Sequence, residues 1–317
     1  MATDLSVIIP NYNTRGLLEG CLRSIFATCA RLHVEVIVID NASTDGSAAM
    51  VQSRFPQVRL VQNSQNVGFA RAVNHGLNLA SGEFLLLLNS DTEVKPGALE
   101  YCVEFLVRRP RAGAVGCRLV NPDGSLQPSC ESFMSFAGIV WEAVFLDKLF
   151  PGSRLFGRMH LTYFTYDREE QVDYVKGAFL MTRRQTLEDV GLLDERFFFY
   201  GEEMDWCYRA RRKGWEVWFT PGATVVHYGG GSGDPVAPEI FVQLHKSRFL
   251  FYQKHHPPLS SVIARVVLAA GSLVRVAAWG LAGLARPRAW RVCWKKAAAF
   301  WAAFTWYIGC RRGQGND

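Results

Sequence analysis

The sequence of 317 residues is long enough to bury the core of one large domain with an appendage, or of two domains. Its eight cysteines show neither a C-x-x-C pair nor regular spacing, which argues against a zinc or disulfide framework and favours reduced thiols facing the cytosol. The formal net charge is +6, and the N-terminus lacks a basic segment followed by a long apolar stretch, so we expect no signal peptide.

The first hundred residues alternate between short apolar runs and stretches with helical spacing of apolar residues. The runs predict strands at 5–10, 34–40, 58–62 and 84–89, and the stretches predict helices at 17–28, 47–54 and 68–80. Ser43 and Thr44 stand where an N-cap would precede the second helix, and Pro96 lies early in the predicted fourth. The alternation predicts an α/β fold with a mainly parallel sheet flanked by helices.

The middle of the chain is less regular. Residues 121–171 are aromatic and show few clear periods, as is typical of an insertion that carries specificity or partner contacts. Around this insertion we predict strands at 114–120, 172–182, 217–219 and 224–227, helices at 202–213 and 240–255, and a mobile glycine-rich loop at 229–233. Pro257 and Pro258 close the globular part, which gives predicted domains of 1–258 and 259–317.

The C-terminal segment is basic and rich in tryptophan. From residue 245 onward twelve Lys and Arg face a single acid, Asp317, whereas the remainder has 23 bases and 28 acids. Five of the nine tryptophans also lie there, and Arg265 and Arg275 make 262–285 a poor spanning helix. A helical hairpin packed on the protein is one interpretation. Helices lying on an anionic membrane surface are favoured, and no nucleic-acid partner is expected.

Acidic and amide side chains follow the ends of several apolar runs. These residues are Asp40 and Asn41, Asn89 and Asp91, Glu202, Glu203 and Asp205, and His227. Ligands bind beyond the carboxyl ends of strands in open α/β sheets, so the side chains would converge on one crevice. That crevice would suit a divalent cation and a phosphorylated ligand such as a sugar nucleotide.

Each of these residues also has a structural interpretation. Asp40 could accept from a pyrimidine imide or a ribose hydroxyl, or could simply order a strand-to-helix turn. Asp91 could coordinate a hard cation, or be an exposed loop carboxylate. His227 could complete the cation site, or be structural. Among the acids at 202–205 one could be a general base, although a helix macrodipole also favours acids there.

Taken together, the segments resemble the family 2 glycosyltransferases, in particular the rhamnosyltransferase-like branch. The matching segments are 6–13 (SVIIPNYN), 36–47 (VIVIDNASTDGS), 66–77 (NVGFARAVNHGL), 84–94 (FLLLLNSDTEV), 176–179 (KGAF) and 193–215 (LDERFFFYGEEMDWCYRARRKGW), with 227–232 and the helix of Lys246 and Tyr252 as closing segments. The resemblance covers roughly residues 4 to 256. It rests on the order and spacing of motifs that are individually weak.

This resemblance implies a GT-A, Rossmann-like fold and inverting transfer from a nucleoside-diphosphate sugar, with Mg²⁺ or Mn²⁺ as cofactor. Glu203 stands at the catalytic base position, with Glu202 and Asp205 as its neighbours. Asp91 stands at the metal position of the D-x-D motif, which His227 would complete. The implied donor-binding residues are Pro10, Tyr12, Asn13, Asp40, Asn41, Gly68, Arg71, Asn89, Asp91, Gly177 and Ala178.

The branch also implies a donor and a setting. It favours deoxythymidine-diphosphate rhamnose as donor and a lipid-linked saccharide as acceptor, used for cell-envelope polysaccharide on the inner face of the cell membrane. Two positions depart from the family pattern: Asn89 replaces the first acid of D-x-D, and Glu203 replaces the common Asp. A nucleotidyltransferase and a catalytically silent sugar-nucleotide-binding protein remain as alternatives. The absence of a glycine-rich loop after the first strand argues against the former.

Overall fold

The computed structural model describes residues 3–29, 31–229, 237–285 and 287–309. It divides into two compact units, one of Met1–Phe133 with Phe164–Ser232 and the other of Met134–Tyr163 with Gly233–Asp317. The second unit therefore contains part of the aromatic insertion as well as the basic C-terminal segment. The domain boundary proposed at residue 258 stays a prediction. Most of the glycine-rich loop predicted at 229–233 lies outside the described residues.

The first unit is built on a large mixed sheet. The strands of this unit are β1 (Leu5–Asn11), β2 (Val34–Asp40), β3 (Arg59–Gln62), β4 (Phe84–Leu88), β5 (Thr92–Val94), β6 (Ala112–Val120), β7 (Leu126–Gln127), β8 (Cys130–Glu131), β9 (Glu170–Gln171), β10 (Tyr174–Val175), β11 (Phe179–Arg183) and β12 (Glu216–His227). The main order is β3-β2-β1-β4-β11-β6-β12-β5, with β7 beside β6 and β9 beside β12, whereas β8 and β10 form a separate pair. Strands β3, β2, β1 and β4 are parallel, and β11 is antiparallel to both of its neighbours.

Helices cover this sheet. They are α1 (Arg15–Thr28), α2 (Ser47–Arg54), α3 (Phe69–Leu79), α4 (Ala98–Arg108), and, beyond two helices of the other unit, α7 (Arg184–Val190) and α8 (Glu202–Arg212). Every residue of β1 and β4 is buried, as expected of parallel strands covered on both faces. The predicted α/β fold with a central sheet flanked by helices is confirmed.

Four local predictions were wrong. The strand predicted at 172–182 is broken between β10 and β11, because residues 176–178 leave the ladder and approach α8. The two short strands predicted near 217 and 224 form one strand, β12, with an irregularity between Thr220 and Thr224. Gly46 in the left-handed conformation, and not Ser43 or Thr44, is the N-cap of α2, and α4 begins after Pro96, with Gly97 as its N-cap.

The second unit is helical. It contains α5 (Phe136–Ala143), α6 (Leu146–Leu149), α9 (Pro238–His255), α10 (Pro258–Ala285), a 3₁₀ turn at Pro287–Ala289 and α11 (Trp290–Tyr307). The Arg265 Nε donates to the Tyr307 carbonyl oxygen at 2.6 Å, and Gly283 lies against Cys293, so α10 and α11 form an antiparallel hairpin. Small residues on both helices are buried at their contact, including Ala264, Gly283, Ala297 and Ala303.

Glu142 is the centre of an ion-pair cluster inside this helical unit. Arg248 donates to both carboxylate oxygens of Glu142 at 3.2 and 2.6 Å, and Arg275 donates to the Glu142 carbonyl oxygen. Burial raises the pKa of the Glu142 carboxyl, but its attraction to Arg248 outweighs that and holds the pKa at about 2. Burial lowers the pKa of His245 to about 3, and the ring stays neutral beside the Tyr307 hydroxyl, 2.9 Å away. The unit therefore keeps a compact polar interior.

The outer side of α10 is apolar. Its exposed large side chains are Leu259, Val262, Ile263, Val266, Leu273, Val274, Leu281 and Leu284. This helix is the one in the described part of the chain that is long and apolar enough to cross a membrane, and a third of its apolar stretch is buried. Exposed cations, Arg288, Arg291 and Lys295, lie near the connection from α10 to α11.

Candidate active site

The turn after β2 is ordered by its own polar side chains. Asp40 is 2% exposed, and one of its oxygens accepts from the Asn11 side-chain amide at 2.8 Å while the other accepts from the Ser43 backbone at 3.0 Å. Asn41 donates to the Gly68 carbonyl oxygen at 3.3 Å and accepts from Asn63 at 2.7 Å. These bonds hold Asp40 and Asn41 in fixed orientations beside the end of β1.

The turn after β1 packs on this one. Pro10 is buried next to Ile39, whereas Tyr12 is exposed. Asn13 has a positive φ of 53°, a conformation that Asn tolerates better than most residues, and its side-chain oxygen accepts from the Thr44 backbone at 2.8 Å. The predicted nucleotide residues of both turns are thus joined at one edge of the sheet.

The start of α3 is fixed by a glycine. Gly68 has a φ of 84°, and a Cβ there would lie 2.7 Å from both the ring and the carbonyl oxygen of Phe198. Only glycine fits this position. Arg71, predicted to lie near the donor, is half exposed and its Nε pairs with Glu195 at 2.9 Å. An ion pair of this exposure is worth little, so Arg71 can leave it for a ligand at small cost.

The residues at the D-x-D position meet the end of β12. Asp91 is 7% exposed, and its Oδ1 lies 3.2 Å from the Nε2 of His227. The Nδ1 of His227 lies 2.6 Å from the side-chain oxygen of Gln127, and the Gln127 amide nitrogen points instead to Asn121 and the His227 carbonyl oxygen. Gln127 therefore accepts from Nδ1–H, which leaves the Nε2 of His227 directed toward Asp91.

This arrangement fits a divalent cation. An imidazole nitrogen and a carboxylate oxygen 3.2 Å apart can both reach one cation, and this pair of ligands suits Mn²⁺ or Mg²⁺. Asn89 lies in the same corner, with its amide 3.4 Å from the His227 Nε2. Within the described residues no group of three or more His, Cys, Asp or Glu side chains could hold a metal, so diphosphate oxygens and water would supply the remaining ligands.

Glu203 lies next to the Gly177 segment. The Gly177 backbone donates to its carboxylate, and a Cβ on Gly177 would be 3.9 Å from the Glu203 carboxyl carbon. The carbonyl oxygen of Ala178 accepts from the Asn89 backbone at 3.2 Å, which joins this segment to the D-x-D position. Burial raises the pKa of Glu203, and its Oε2 has no hydrogen-bond partner among the described residues. A carboxylate in that state is a stronger base than one in water.

The two neighbouring acids differ from Glu203. Asp205 is fully buried and pairs with Arg209 at 2.9 Å, and that guanidinium also donates to the Val190 and Leu192 carbonyl oxygens, so Asp205 holds α8 in place. Glu202 is 3% exposed, and burial, with the nearby charge of Glu203, raises its pKa well above 4.5. Burial thus disfavours the ionised form of Glu202, which is the form that a general base requires.

Several residues near the site carried no usable signal in the sequence. Tyr200 has a φ of 67°, and its pKa is raised by burial and then by the charges of Glu202, Glu203 and Asp91, so it lies between the two acidic corners. Gln127 and Thr14 were missed because a single amide or hydroxyl shows no spacing pattern.

The mixed sheet carries an acid and an imidazole at its edge, with a buried carboxylate opposite. This combination defines a nucleotide-sugar-dependent transferase of the GT-A class. The sequence model of the family described as Glycosyl transferase family 2 matches residues 6–183, and the chain belongs to that family. N-acetylglucosaminyl-diphospho-decaprenol L-rhamnosyltransferase of Mycobacterium tuberculosis is 30% identical over 271 residues, which cover 81% of this chain and 86% of that protein.

Solved structures agree with the fold. The mannosyltransferase PcManGT from Pyrobaculum calidifontis, in complex with GDP-Man and Mn²⁺, matches with a TM-score of 0.58 at 19% identity, over 98% of this chain and 89% of its own. GalNAc-T7 with UDP, GalNAc and Mn²⁺ matches with a TM-score of 0.55 at 16% identity, over 79% and 50% of the two chains. Membership of family 2 confirms the resemblance and favours a glycosyltransferase over a nucleotidyltransferase.

Proposed function

We propose that this glycosyltransferase moves rhamnose, with inversion, from deoxythymidine-diphosphate rhamnose to a lipid-linked saccharide at the inner face of the cell membrane. The observation that carries the proposal is the pairing of Asp91 with His227 beside the segment that reaches Glu203. The similarity to a rhamnosyltransferase acting on a decaprenyl-diphosphate saccharide supports the donor, the acceptor class and a role in cell-envelope polysaccharide synthesis.

Glu203 is the general base of this reaction. Its raised pKa and unsatisfied Oε2 suit it to take the proton of an acceptor hydroxyl while that oxygen attacks the anomeric carbon. One carbon–oxygen bond forms as the bond to the diphosphate breaks, so the configuration inverts and no covalent enzyme intermediate is needed. Asp205 is paired with Arg209, and burial raises the pKa of Glu202 well above 4.5, whereas Glu203 accepts from the Gly177 backbone, so Glu203 is the better base.

The nucleotide and sugar would be held by the residues of the two turns. Asp40 and Asn41 would contact the base and ribose beside Pro10, Tyr12 and Asn13. Gly68 and Arg71 would border the donor, with Gly177 and Ala178 next to its sugar. Asp91 and His227, with Asn89 alongside, would hold Mg²⁺ or Mn²⁺, which when bound neutralises charge on the departing diphosphate.

A membrane-bound acceptor needs an enzyme at the membrane surface. The exposed apolar side of α10 can enter the boundary between headgroups and acyl chains, and the cations near the α10–α11 connection can face anionic headgroups. Arg265 and Arg275 donate to carbonyl oxygens within the helical unit, which lowers the cost of placing α10 at an interface. We therefore propose peripheral attachment of this unit to an anionic membrane.

Product analysis with purified full-length protein tests the reaction. Deoxythymidine-diphosphate rhamnose, UDP-sugars and GDP-sugars are each supplied with Mn²⁺ or with excess chelator, and polyprenyl-diphosphate N-acetylglucosamine is the acceptor. We expect rhamnose transfer that requires the metal, with an anomer opposite to that of the donor by NMR. Transfer only from another sugar nucleotide would refute the donor assignment. Absence of both hydrolysis and transfer with every donor would favour a silent binding protein.

Sedimentation with vesicles tests attachment. The double variant Val266→Glu/Leu273→Glu places two charges on the exposed side of α10, and Val107→Glu on α4, a site of similar exposure in the other unit, is the control. We expect wild type and the control to sediment with anionic vesicles, and the double variant to be recovered mostly in the supernatant. Equal recovery of all three proteins in the supernatant would contradict membrane attachment.

A further inference from the structure

A chain of buried hydrogen bonds connects the turn after β2 to the turn after β4. The Thr14 hydroxyl donates to the Asn11 side-chain oxygen at 2.6 Å and lies 2.8 Å from the Ser90 hydroxyl. The Asn11 amide in turn donates to Asp40 at 2.8 Å. All four residues are at most 6% exposed, so water does not compete for these bonds. Within this set of bonds, Thr14 connects Ser90, in the turn after β4, to Asn11, which in turn contacts Asp40.

The direction of each bond follows from the chemistry of its ends. The Asn11 oxygen can only accept, so the single proton of the Thr14 hydroxyl is used there. Ser90 must then donate to Thr14. This series of hydrogen bonds runs from Ser90 through Thr14 and Asn11 to the Asp40 carboxylate, and each donor points toward Asp40. Bonds aligned in this manner polarise one another, and the charge of Asp40 anchors their end.

Thr14 occupies the N-cap of α1 but does not use its hydroxyl as a cap. Threonine at this position ordinarily accepts from a backbone amide of the first turn, whereas here no side-chain capping bond forms. The hydroxyl instead forms hydrogen bonds with Asn11 and Ser90. Other α1 residues also hold the segment after β4, since Ser24 accepts from the Val94 backbone at 3.0 Å and the Cys21 thiol lies 3.5 Å from the Thr92 hydroxyl. The N-terminal end of α1 thus connects the turn after β2 with the turn after β4.

We propose that Thr14 is a positioning residue that couples nucleotide binding to metal binding. The inference rests on the proposed function, in which Asp40 contacts the nucleoside and Asp91, next to Ser90 in sequence, contacts the metal. A nucleoside diphosphate would reach both the nucleoside residues and the metal. The metal therefore increases nucleotide affinity fully only when the two turns keep a fixed position relative to each other. Thr14 fixes that relative position before either ligand arrives, and neither ligand needs to touch it.

Substitutions of the hydroxyl separate this role from simple stability. Thr14→Val keeps the shape of the side chain but cannot donate or accept, whereas Thr14→Ser keeps both functions. Thr182 provides the control, because its hydroxyl is buried and donates to the Gly113 carbonyl oxygen at 2.6 Å, away from both turns. Thr182→Val therefore loses a comparable buried hydrogen bond without disturbing the connection between the two turns.

The measurement is calorimetric titration of each full-length variant with deoxythymidine diphosphate, with and without Mn²⁺, alongside thermal unfolding. In wild type we expect Mn²⁺ to tighten nucleotide binding, and by linkage the nucleotide to tighten Mn²⁺ binding by the same factor. In Thr14→Val we expect this factor to fall about tenfold, consistent with the loss of one buried hydrogen bond, while metal-free nucleotide binding changes less than about twofold. Thr14→Ser and Thr182→Val should keep the wild-type factor.

Two results would overturn the proposal. A lowered melting temperature in Thr14→Val with an unchanged Mn²⁺ factor would leave Thr14 a stability residue only, and equal losses in Thr14→Val and Thr14→Ser would show that the hydroxyl is not the cause. If Thr14→Val does not fold, Ser90→Ala removes the first donor and should lower the same factor. UDP and GDP are titrated in parallel. If deoxythymidine diphosphate alone does not bind, the result contradicts the proposed donor but not the proposed coupling.

Discussion

On the nucleotide side of the site, the buried polar groups satisfy one another. Asn11, Thr14, Asp40 and Ser90 form a continuous set of hydrogen bonds. At the start of α8, Glu202 and Glu203 each keep one buried oxygen without a partner among the described residues, and both carboxyl pKa values are raised. The first region is organised in advance for recognition. The second keeps a reactive group at a cost in stability, as is common where chemistry occurs.

Strained backbone, however, occurs on both sides of the site, since Asn13 and Ala42 on the nucleotide side also have positive φ, at 53° and 62°. Just before α8, Tyr200 and Gly201 both have positive φ, at 67° and 83°, and for a tyrosine this conformation is strained. The nearby Gly68 is crowded by Phe198. Substitutions should therefore divide into those that destroy binding or chemistry and those that change stability. The following predictions begin with the largest expected effect.

Asp91→Asn should abolish transfer while the fold is retained. An amide oxygen is a weaker ligand than a carboxylate for a hard cation, and the site has few other protein ligands to compensate. Turnover and Mn²⁺ affinity of the purified variant provide the measurement, with circular dichroism as the check on folding. Full activity of the variant, or of wild type in excess chelator, would contradict a metal role for Asp91.

Glu203→Gln should lower turnover about 10²–10⁴-fold with little change in donor affinity, because a positioned general base contributes about that much. In wild type the rate should fall as the pH decreases through the raised pKa of Glu203, since only the ionised form accepts a proton. Steady-state kinetics from pH 5 to 9 provides the measurement. A nearly normal rate for this variant, with Glu202→Gln or Asp205→Asn inactive, would move the base to that neighbour.

Asp205→Asn should lower the free energy of unfolding by about 2–3 kcal/mol, because it leaves the partly buried Arg209 without its partner. The matched control is Asp189→Asn, since Asp189 pairs with Lys213 where both side chains are nearly half exposed, and its loss should destabilise the protein much less. Urea unfolding of both variants gives the comparison. Equal losses would show that burial does not set the value of the Asp205 pair.

Much of the first unit could be predicted because its strands are short apolar runs and its site residues lie directly at their ends. The second strand, predicted at 34–40, is observed as Val34–Asp40. The errors arose where distant contacts decide. Residues 176–178 leave the sheet because of their place beside α8, and Ser43 serves Asn11 and Asn13 instead of capping α2. Likewise, the raised pKa of Glu202 depends on burial, which a run of acids after aromatic residues does not reveal.

The smallest expected effect concerns Glu202, whose replacement by Gln should stabilise the protein. Its folded-state pKa is raised by burial, and so folding takes up a proton whenever the unfolded carboxyl is already ionised. The cost is absent below about pH 4.5, where both states are protonated, and it grows as the pH rises toward the folded pKa. Glu202→Gln removes this cost, so the difference in melting temperature between variant and wild type should increase from pH 5 to pH 8, corresponding to about 1–2 kcal/mol.

Glu195→Gln provides a control of opposite sign. A hydrogen bond from Asn74 and the neighbouring Arg71 lower the pKa of Glu195, so its ionised form stabilises the fold above the unfolded pKa and loses that effect as the pH falls. Its side chain is 42% exposed, so the loss in Glu195→Gln should stay below about 1 kcal/mol near neutrality and vanish in acid. If Glu202→Gln instead destabilises the protein at pH 8, the Glu202 carboxylate is ionised and engaged there. The contrast between a satisfied nucleotide side and an unsatisfied base side would then fail at Glu202.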